Sequence, residues 1–148
     1  MKVEIELPMN FSATSVWRLA GGFDLLPAIS TGCAVSRLED GGRLRILTNR
    51  DGSILWERML HFDEAGMTLS YLITDNKAFA GAYGVGYRGT VTVRPVDDGH
   101  SLFRYAGEFE PTPGTSPEQA KAAVMGFATD CASGISRVLS LDAGKARI

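Results

Sequence analysis

The sequence predicts an α+β domain in which a curved antiparallel sheet of about seven strands wraps one long C-terminal helix. Three observations carry this. Between Cys33 and Glu110 the apolar residues recur with period two, in six stretches separated mostly by short turns containing glycine. After Ser116 the period becomes helical for about 25 residues, with one apolar stripe. The 148 residues suit a single domain spanning 1–148.

In chain order, Val3, Ile5, Leu7 and Met9 alternate with Glu4, Glu6 and Pro8, which gives a first strand with one apolar face. Ser12 or Thr14 can cap a short helix running to Ala20. Gly21-Gly22 should end it through the left-handed C-cap conformation that glycine adopts freely. Phe23 to Ile29 reads as a second helical turn, stopped near Pro27. The six strands then expected are Cys33–Glu39, Arg43–Asn49, Ser53–Asp63, Met67–Thr74, Tyr87–Val96 and Ser101–Glu110.

Pro111 to Pro117 resets the chain. Ser116 is a good N-cap, Pro117 suits the first helical position, and Glu118 and Gln119 fall in the electropositive first turn. The helix should reach about Leu141, with Ala120, Val124, Phe127, Cys131, Ile135 and Val138 on one stripe. The sheet is the one partner large enough to bury that stripe. The predicted order is β, two short helices, six strands and a long helix.

Composition narrows the function classes. Apolar residues make up 45% and charged residues 22%, and the formal charge is −2 with the basic residues scattered. Neither nucleic acid nor an anionic membrane surface is an expected partner. No apolar run reaches the roughly 18–20 residues that span a bilayer, and the alternating start MKVEIELPM reads as a strand and not a signal peptide. The expected location is cytoplasmic. Cys33 and Cys131 match no metal or redox spacing and read as buried free thiols. His61 and His100 belong to no metal-ligand pattern, so no metal and no cofactor are expected.

The element order and several local motifs together resemble the START-like, or SRPBCC, superfamily, which includes polyketide cyclase/dehydrase-like proteins. Ala13-Thr-Ser-Val-Trp17 with Phe23-Asp-Leu-Leu-Pro27 is similar to its helix pair. Gly42-Arg-Leu-Arg45, Asp51-Gly52 and Trp56-Glu-Arg58 are similar to its third and fourth strands. Leu69-Ser-Tyr-Leu-Ile73, Tyr87-Arg-Gly-Thr-Val91 and Glu108-Phe-Glu-Pro111 follow in the expected order. The resemblance implies a helix-grip fold with an internal cavity between sheet and helix. It also implies a small hydrophobic or amphipathic ligand there, lipid-like or polyketide-like. The alternative it implies is a cyclase/dehydrase-type enzyme acting in the same cavity.

The residues add detail. Arg50-Asp51-Gly52 suits a three-residue hairpin with Gly52 left-handed, which puts Arg45 opposite Glu57. A two-residue turn would oppose Arg45 with Arg58, a costly like-charge contact. By resemblance Arg45, Leu47 and Glu57 face the cavity, where arginine and glutamate orient a ligand's polar end. The other reading is an exposed cross-strand ion pair worth roughly 0–1 kcal/mol. The cavity reading leaves Leu44, Ile46, Ile54 and Trp56 on the convex face and so predicts a homodimer through it.

Tyr71 and Tyr87 are either pocket walls or packed core tyrosines, and Gly89 would leave room beside them. Tyr105 is a weaker candidate of the same kind. Phe127 and Cys131 would form the opposite wall. Asp130 reads as a solvated flank, and His61 as a rim or surface residue on the face of Glu57. Glycine-rich Gly81–Gly89 reads as a cavity lid. No nucleophile–histidine pair is evident, so the catalytic residues are unassigned.

Overall fold

The structure is a computed structural model describing residues 1–146. Seven antiparallel strands form one curved sheet in the order β1-β7-β6-β5-β4-β3-β2. The strands are β1 (Lys2–Met9), β2 (Cys33–Glu39), β3 (Leu44–Asn49), β4 (Ile54–Asp63), β5 (Thr68–Lys77), β6 (Arg88–Asp97) and β7 (His100–Glu108). Two short helices, α1 (Ala13–Ala20) and α2 (Leu26–Ile29), lie between β1 and β2. The long helix α3 (Pro117–Ala146) packs on α1, α2, β1 and β7. This is the helix-grip architecture. Among the described residues no helix is long and apolar enough to cross a membrane.

Local chemistry explains the boundaries. The Ser12 hydroxyl accepts from the Ser15 amide at 3.1 Å and caps α1. At α3, the Gln119 amide donates to Ser116 Oγ at 3.1 Å while the Ser116 amide donates to Gln119 Oε1 at 2.9 Å. This reciprocal capping box satisfies two amides that the first turn would leave unpaired. The β3–β4 turn has the expected three-residue form. Gly52 is left-handed at φ 89°, the Asn49 amide donates to the Ser53 carbonyl at 2.8 Å, and Arg45 pairs with Glu57.

Several boundaries differ from the sequence reading. Gly21 ends α1 at φ −88°, outside the left-handed region. Glycine is needed there because a Cβ would collide with the Trp17 indole. Pro27 does not stop the second helix. It stands in its first turn, where the missing amide costs no hydrogen bond. Strand β5 continues three residues beyond Thr74, and α3 runs five residues beyond Leu141.

The core lies between the concave sheet face and the helices. Ala120, Val124, Cys131 and Ile135 of the predicted stripe are buried, while Phe127 and Val138 are half-buried. Ala128, Ala132 and Gly134 extend the buried side of α3. Gly134 sits where α2 crosses α3, and a Cβ there would overlap the backbone carbonyl of Ile29. Gly126, on the exposed side of the same helix, has open space around it.

The two glycines should respond oppositely in thermal denaturation. Gly126→Ala should stabilise by about 0.5–1 kcal/mol, the usual helix-propensity gain. Gly134→Ala should destabilise by roughly 1–3 kcal/mol through overpacking against a backbone that cannot rotate away. Equal shifts for both variants would contradict the close α2–α3 crossing.

Candidate functional site

Between the concave face of the sheet, α2, the β5–β6 connection and α3 lies a cavity of ≈ 470 Å³. That size is ordinary for a small-molecule site. It opens to solvent beside Thr31, Gly32, Arg50 and Asp51, which line it and are exposed. A smaller space of ≈ 30 Å³ lies further in, and Leu26, Tyr71 and Phe127 border both. The inner space has room for about one water molecule.

The residues anticipated from the sequence converge on this hollow. Leu47, Glu57, Tyr71, Tyr87 and Phe127 line the larger cavity, and Arg45 and Cys131 line the inner space. Strand register produces the arrangement. Leu38, Arg45 and Glu57 are consecutive cross-strand partners on β2, β3 and β4. Side chains of directly paired residues share a face. The sheet curls over that face, so Arg45 and Glu57 are each only about 5% exposed, at 5% and 4%. The exposed ion-pair reading is thereby excluded.

Arg45 is held by protein on every side. Its Nε and Nη2 approach Glu57 Oε1 at 2.8 and 2.7 Å, and Nη1 donates to the Phe23 carbonyl at 3.2 Å. Its guanidinium lies 4.5 Å from the Phe23 ring centroid and 4.7 Å from that of Tyr71. Burial, the largest single influence, would lower the arginine pKa, but the charge and hydrogen bonds of Glu57 together with Tyr71 and Tyr105 outweigh this and hold it above the ordinary value. Arg45 therefore fixes both the Glu57 carboxylate and the linker between α1 and α2.

Glu57 faces the other way. Both arginine contacts use Oε1, and among the described residues no group bonds Oε2. Among the described residues Ser36 Oγ is the one fully buried side-chain polar atom without a partner, so the unpartnered Glu57 Oε2 is not fully sealed off. Glu57 lines the larger cavity, so a free carboxylate oxygen is presented to it.

Three tyrosines supply the second polar feature. The hydroxyl of Tyr105 lies 2.6 Å from that of Tyr71 and 2.7 Å from that of Tyr87. The rings fit because glycines lie beneath them: a Cβ at Gly89 would strike Tyr71, and one at Gly107 would strike Tyr87. Burial pushes all three phenols above their ordinary pKa, with the Glu57 charge adding to the effect at Tyr71. They are neutral O–H groups throughout the biological pH range.

Other residues of the site escaped the sequence reading. Phe79 and Tyr83, from the Gly-rich connection after β5, line the cavity, and Tyr83 stacks on Tyr87 with centroids 4.1 Å apart. That segment has no period to read. Leu55 also lines the cavity. It lies two residues before Glu57 on the same face, and the alternation of β4 could have revealed it.

The two predicted bystanders separate. The Asp130 carboxylate accepts from the Thr31 amide and hydroxyl, both at 2.9 Å, and so tethers the loop at the cavity mouth to α3. His61 does not share the face of Glu57. A bulge between Met59 and His61 flips the alternation and pairs His61 with Ser70 on the outer face.

Leu44, Ile46, Ile54 and Trp56 do lie on the outer face of the sheet, where Ile46 is buried and the other three are half-buried. Burial pushes the Cys131 thiol up to about 12 and raises that of Cys33 as well. Among the described residues no three His, Cys, Asp or Glu side chains cluster as metal ligands.

Comparison with known proteins agrees with this architecture. Residues 1–139 match the family model described as polyketide cyclase / dehydrase and lipid transport. No functionally curated protein matches the sequence. Among solved structures, the protein XoxI from Bacillus cereus is 27% identical with a TM-score of 0.84, over 95% of this chain and 97% of that one. A START superfamily protein from Mycobacterium smegmatis has 13% identity and a TM-score of 0.75, over 95% and 98%. The Zhui aromatase/cyclase from a Streptomyces species has 14% identity and a TM-score of 0.69, over 92% and 91%. At 13–14% identity these last two share the fold alone.

Proposed function

We propose that this chain, which belongs to the polyketide cyclase / dehydrase and lipid transport family, binds one small, largely apolar molecule between its sheet and α3. The supporting observation is the ≈ 470 Å³ cavity, walled by leucines and aromatic rings with a carboxylate oxygen at its inner end. Such sites gain affinity from apolar burial and orientation from a few fixed polar groups. Arg45 serves from behind, by holding Glu57 in place. The two free, buried thiols suit a reducing, cytoplasmic setting.

The neutral fluorescent probe 1-N-phenylnaphthylamine tests this. Its emission should rise on mixing with the protein, and Leu47→Trp, which fills the cavity from β3, should weaken its binding about tenfold or more. Unchanged emission, together with no thermal stabilisation by any apolar compound in a screen, would sink the proposal.

A second reading, a cyclase-type enzyme using Arg45, Glu57 and Tyr87 on a ligand in the same cavity, is favoured by the linked tyrosine hydroxyls, which can exchange protons with a guest. Full turnover by a variant lacking all three side chains would remove it. The reading extends to a second copy of the chain covering Leu44, Ile46, Ile54 and Trp56. A monomer in sedimentation equilibrium would remove that part alone.

A further inference from the structure

The polar groups at the inner end of the cavity can be counted. Tyr71, Tyr87 and Tyr105 carry three hydroxyl protons, and their two O···O contacts consume two. Whichever way the chain of hydrogen bonds runs, one O–H proton is left over. Among the described residues none of these hydroxyls has another partner. A leftover buried donor is costly unless a guest or water accepts it.

Glu57 Oε2 presents the opposite need, an acceptor without a donor. The two needs lie close together. The Arg45 guanidinium contacts both the Glu57 carboxylate and the Tyr71 ring. Glu57 pairs with Ile73, two residues from Tyr71 on the same face of β5.

Charge is balanced at the inner end of the cavity, where Arg45 neutralises Glu57. A guest that brings its own charge would leave water without a net counter-charge to receive it, and buried charge without compensation is strongly disfavoured.

We infer that the cavity selects a net-neutral guest that carries, at its inner end, an O–H or N–H donor for Glu57 Oε2 and a carbonyl-type acceptor for the surplus tyrosine proton. This inference rests on the binding proposal above and narrows it to a chemical class: neutral hydroxy-carbonyl compounds on an apolar frame. Carboxylates and ammonium compounds of the same frame are rejected. Tyr71, Tyr87, Tyr105 and Glu57 act as specificity determinants, and Arg45 is a positioning residue.

A matched naphthalene series tests the inference by displacement of 1-N-phenylnaphthylamine. 4-Hydroxy-2-acetonaphthone, which carries its hydroxyl and carbonyl on one ring, should bind at least about tenfold tighter than 2-acetonaphthone, since a hydrogen bond to a charged acceptor contributes on that scale. 2-Naphthoate and protonated 2-naphthylmethylamine should bind more weakly than either ketone. Glu57→Gln keeps the side-chain shape but leaves Arg45 unneutralised, so 2-naphthoate should gain affinity over the hydroxy ketone. Tyr71→Phe/Tyr87→Phe/Tyr105→Phe keeps the rings and should erase most of the advantage of 2-acetonaphthone over unsubstituted naphthalene, while the hydroxy ketone keeps its gain from Glu57.

Equal binding across the series, or tightest binding of a charged member to the unaltered protein, overturns the inference while leaving the cavity's role intact. Unchanged preference in Glu57→Gln also overturns it. If the fluorescent probe itself fails to bind, the binding proposal falls and this inference falls with it.

Discussion

Arg45→Met should lower folding stability by about 3–5 kcal/mol, measured by urea denaturation at neutral pH. The loss has little to do with side-chain volume. Methionine fills much of the same space between the Phe23 and Tyr71 rings, but it removes both hydrogen bonds to Glu57 Oε1 and the one to the Phe23 carbonyl. A carboxylate only 4% exposed is left without its counter-charge.

The decisive comparison is the double variant Arg45→Met/Glu57→Leu. With both charges gone no uncompensated carboxylate remains, and stability should return to within about 1 kcal/mol of the unaltered protein or exceed it. Such a protein would be folded yet lack the polar end of its cavity, which is the expected mark of an ion pair retained for binding. A loss below about 1 kcal/mol in the single variant would mean that the pair is solvated and that its buried geometry is wrong.

Alkaline pH should produce the second large effect. The folded-state pKa of each buried tyrosine lies above its unfolded value of 10.0. At high pH the folded state therefore holds more protons than the unfolded state, and the phenols' contribution is complete below about pH 10. Above that it declines by about 1.4 kcal/mol per pH unit for each phenol, or roughly 4 for the three together. Cys131 adds a similar slope from its ordinary 9.0 upward to about 12.

Typical stabilities of 5–15 kcal/mol would be consumed within a few pH units. Tyr83 is shifted upward too, chiefly by burial. Phenolate absorbance should thus appear in one cooperative step, together with loss of circular dichroism. A reversible titration near pH 10 in protein that stays folded would contradict the linked, buried tyrosines. The triple phenylalanine variant should show a shallower alkaline decline.

How much of this was legible beforehand depends on the kind of signal each residue carries. The Arg45–Glu57 register could be derived, because the three-residue turn and the cost of opposing Arg45 to Arg58 leave one arrangement. In the structure Arg58 instead meets Asp40 at 2.8 Å. The face of that pair could not be derived, because both sides of the β3–β4 hairpin carry apolar residues. His61 was misplaced because one bulge shifts the alternation and nothing in the local residues announces it. Phe79 and Tyr83 were missed because irregular chain has no period. The linkage of the tyrosine hydroxyls joins three strands, β5, β6 with its preceding residue, and β7, so no single stretch of sequence contains it.

By itself the sequence determined the element order, the hairpin register and the apolar stripe of α3, since periodicity, turn chemistry and capping act within a few residues. Tertiary structure alone decided that the curling sheet would bring Arg45, Glu57 and the tyrosines to one hollow, and that the hollow would stay open. Whether distant side chains meet or leave a gap depends on the summed volumes of residues far apart in the chain, and local pattern carries no measure of that sum.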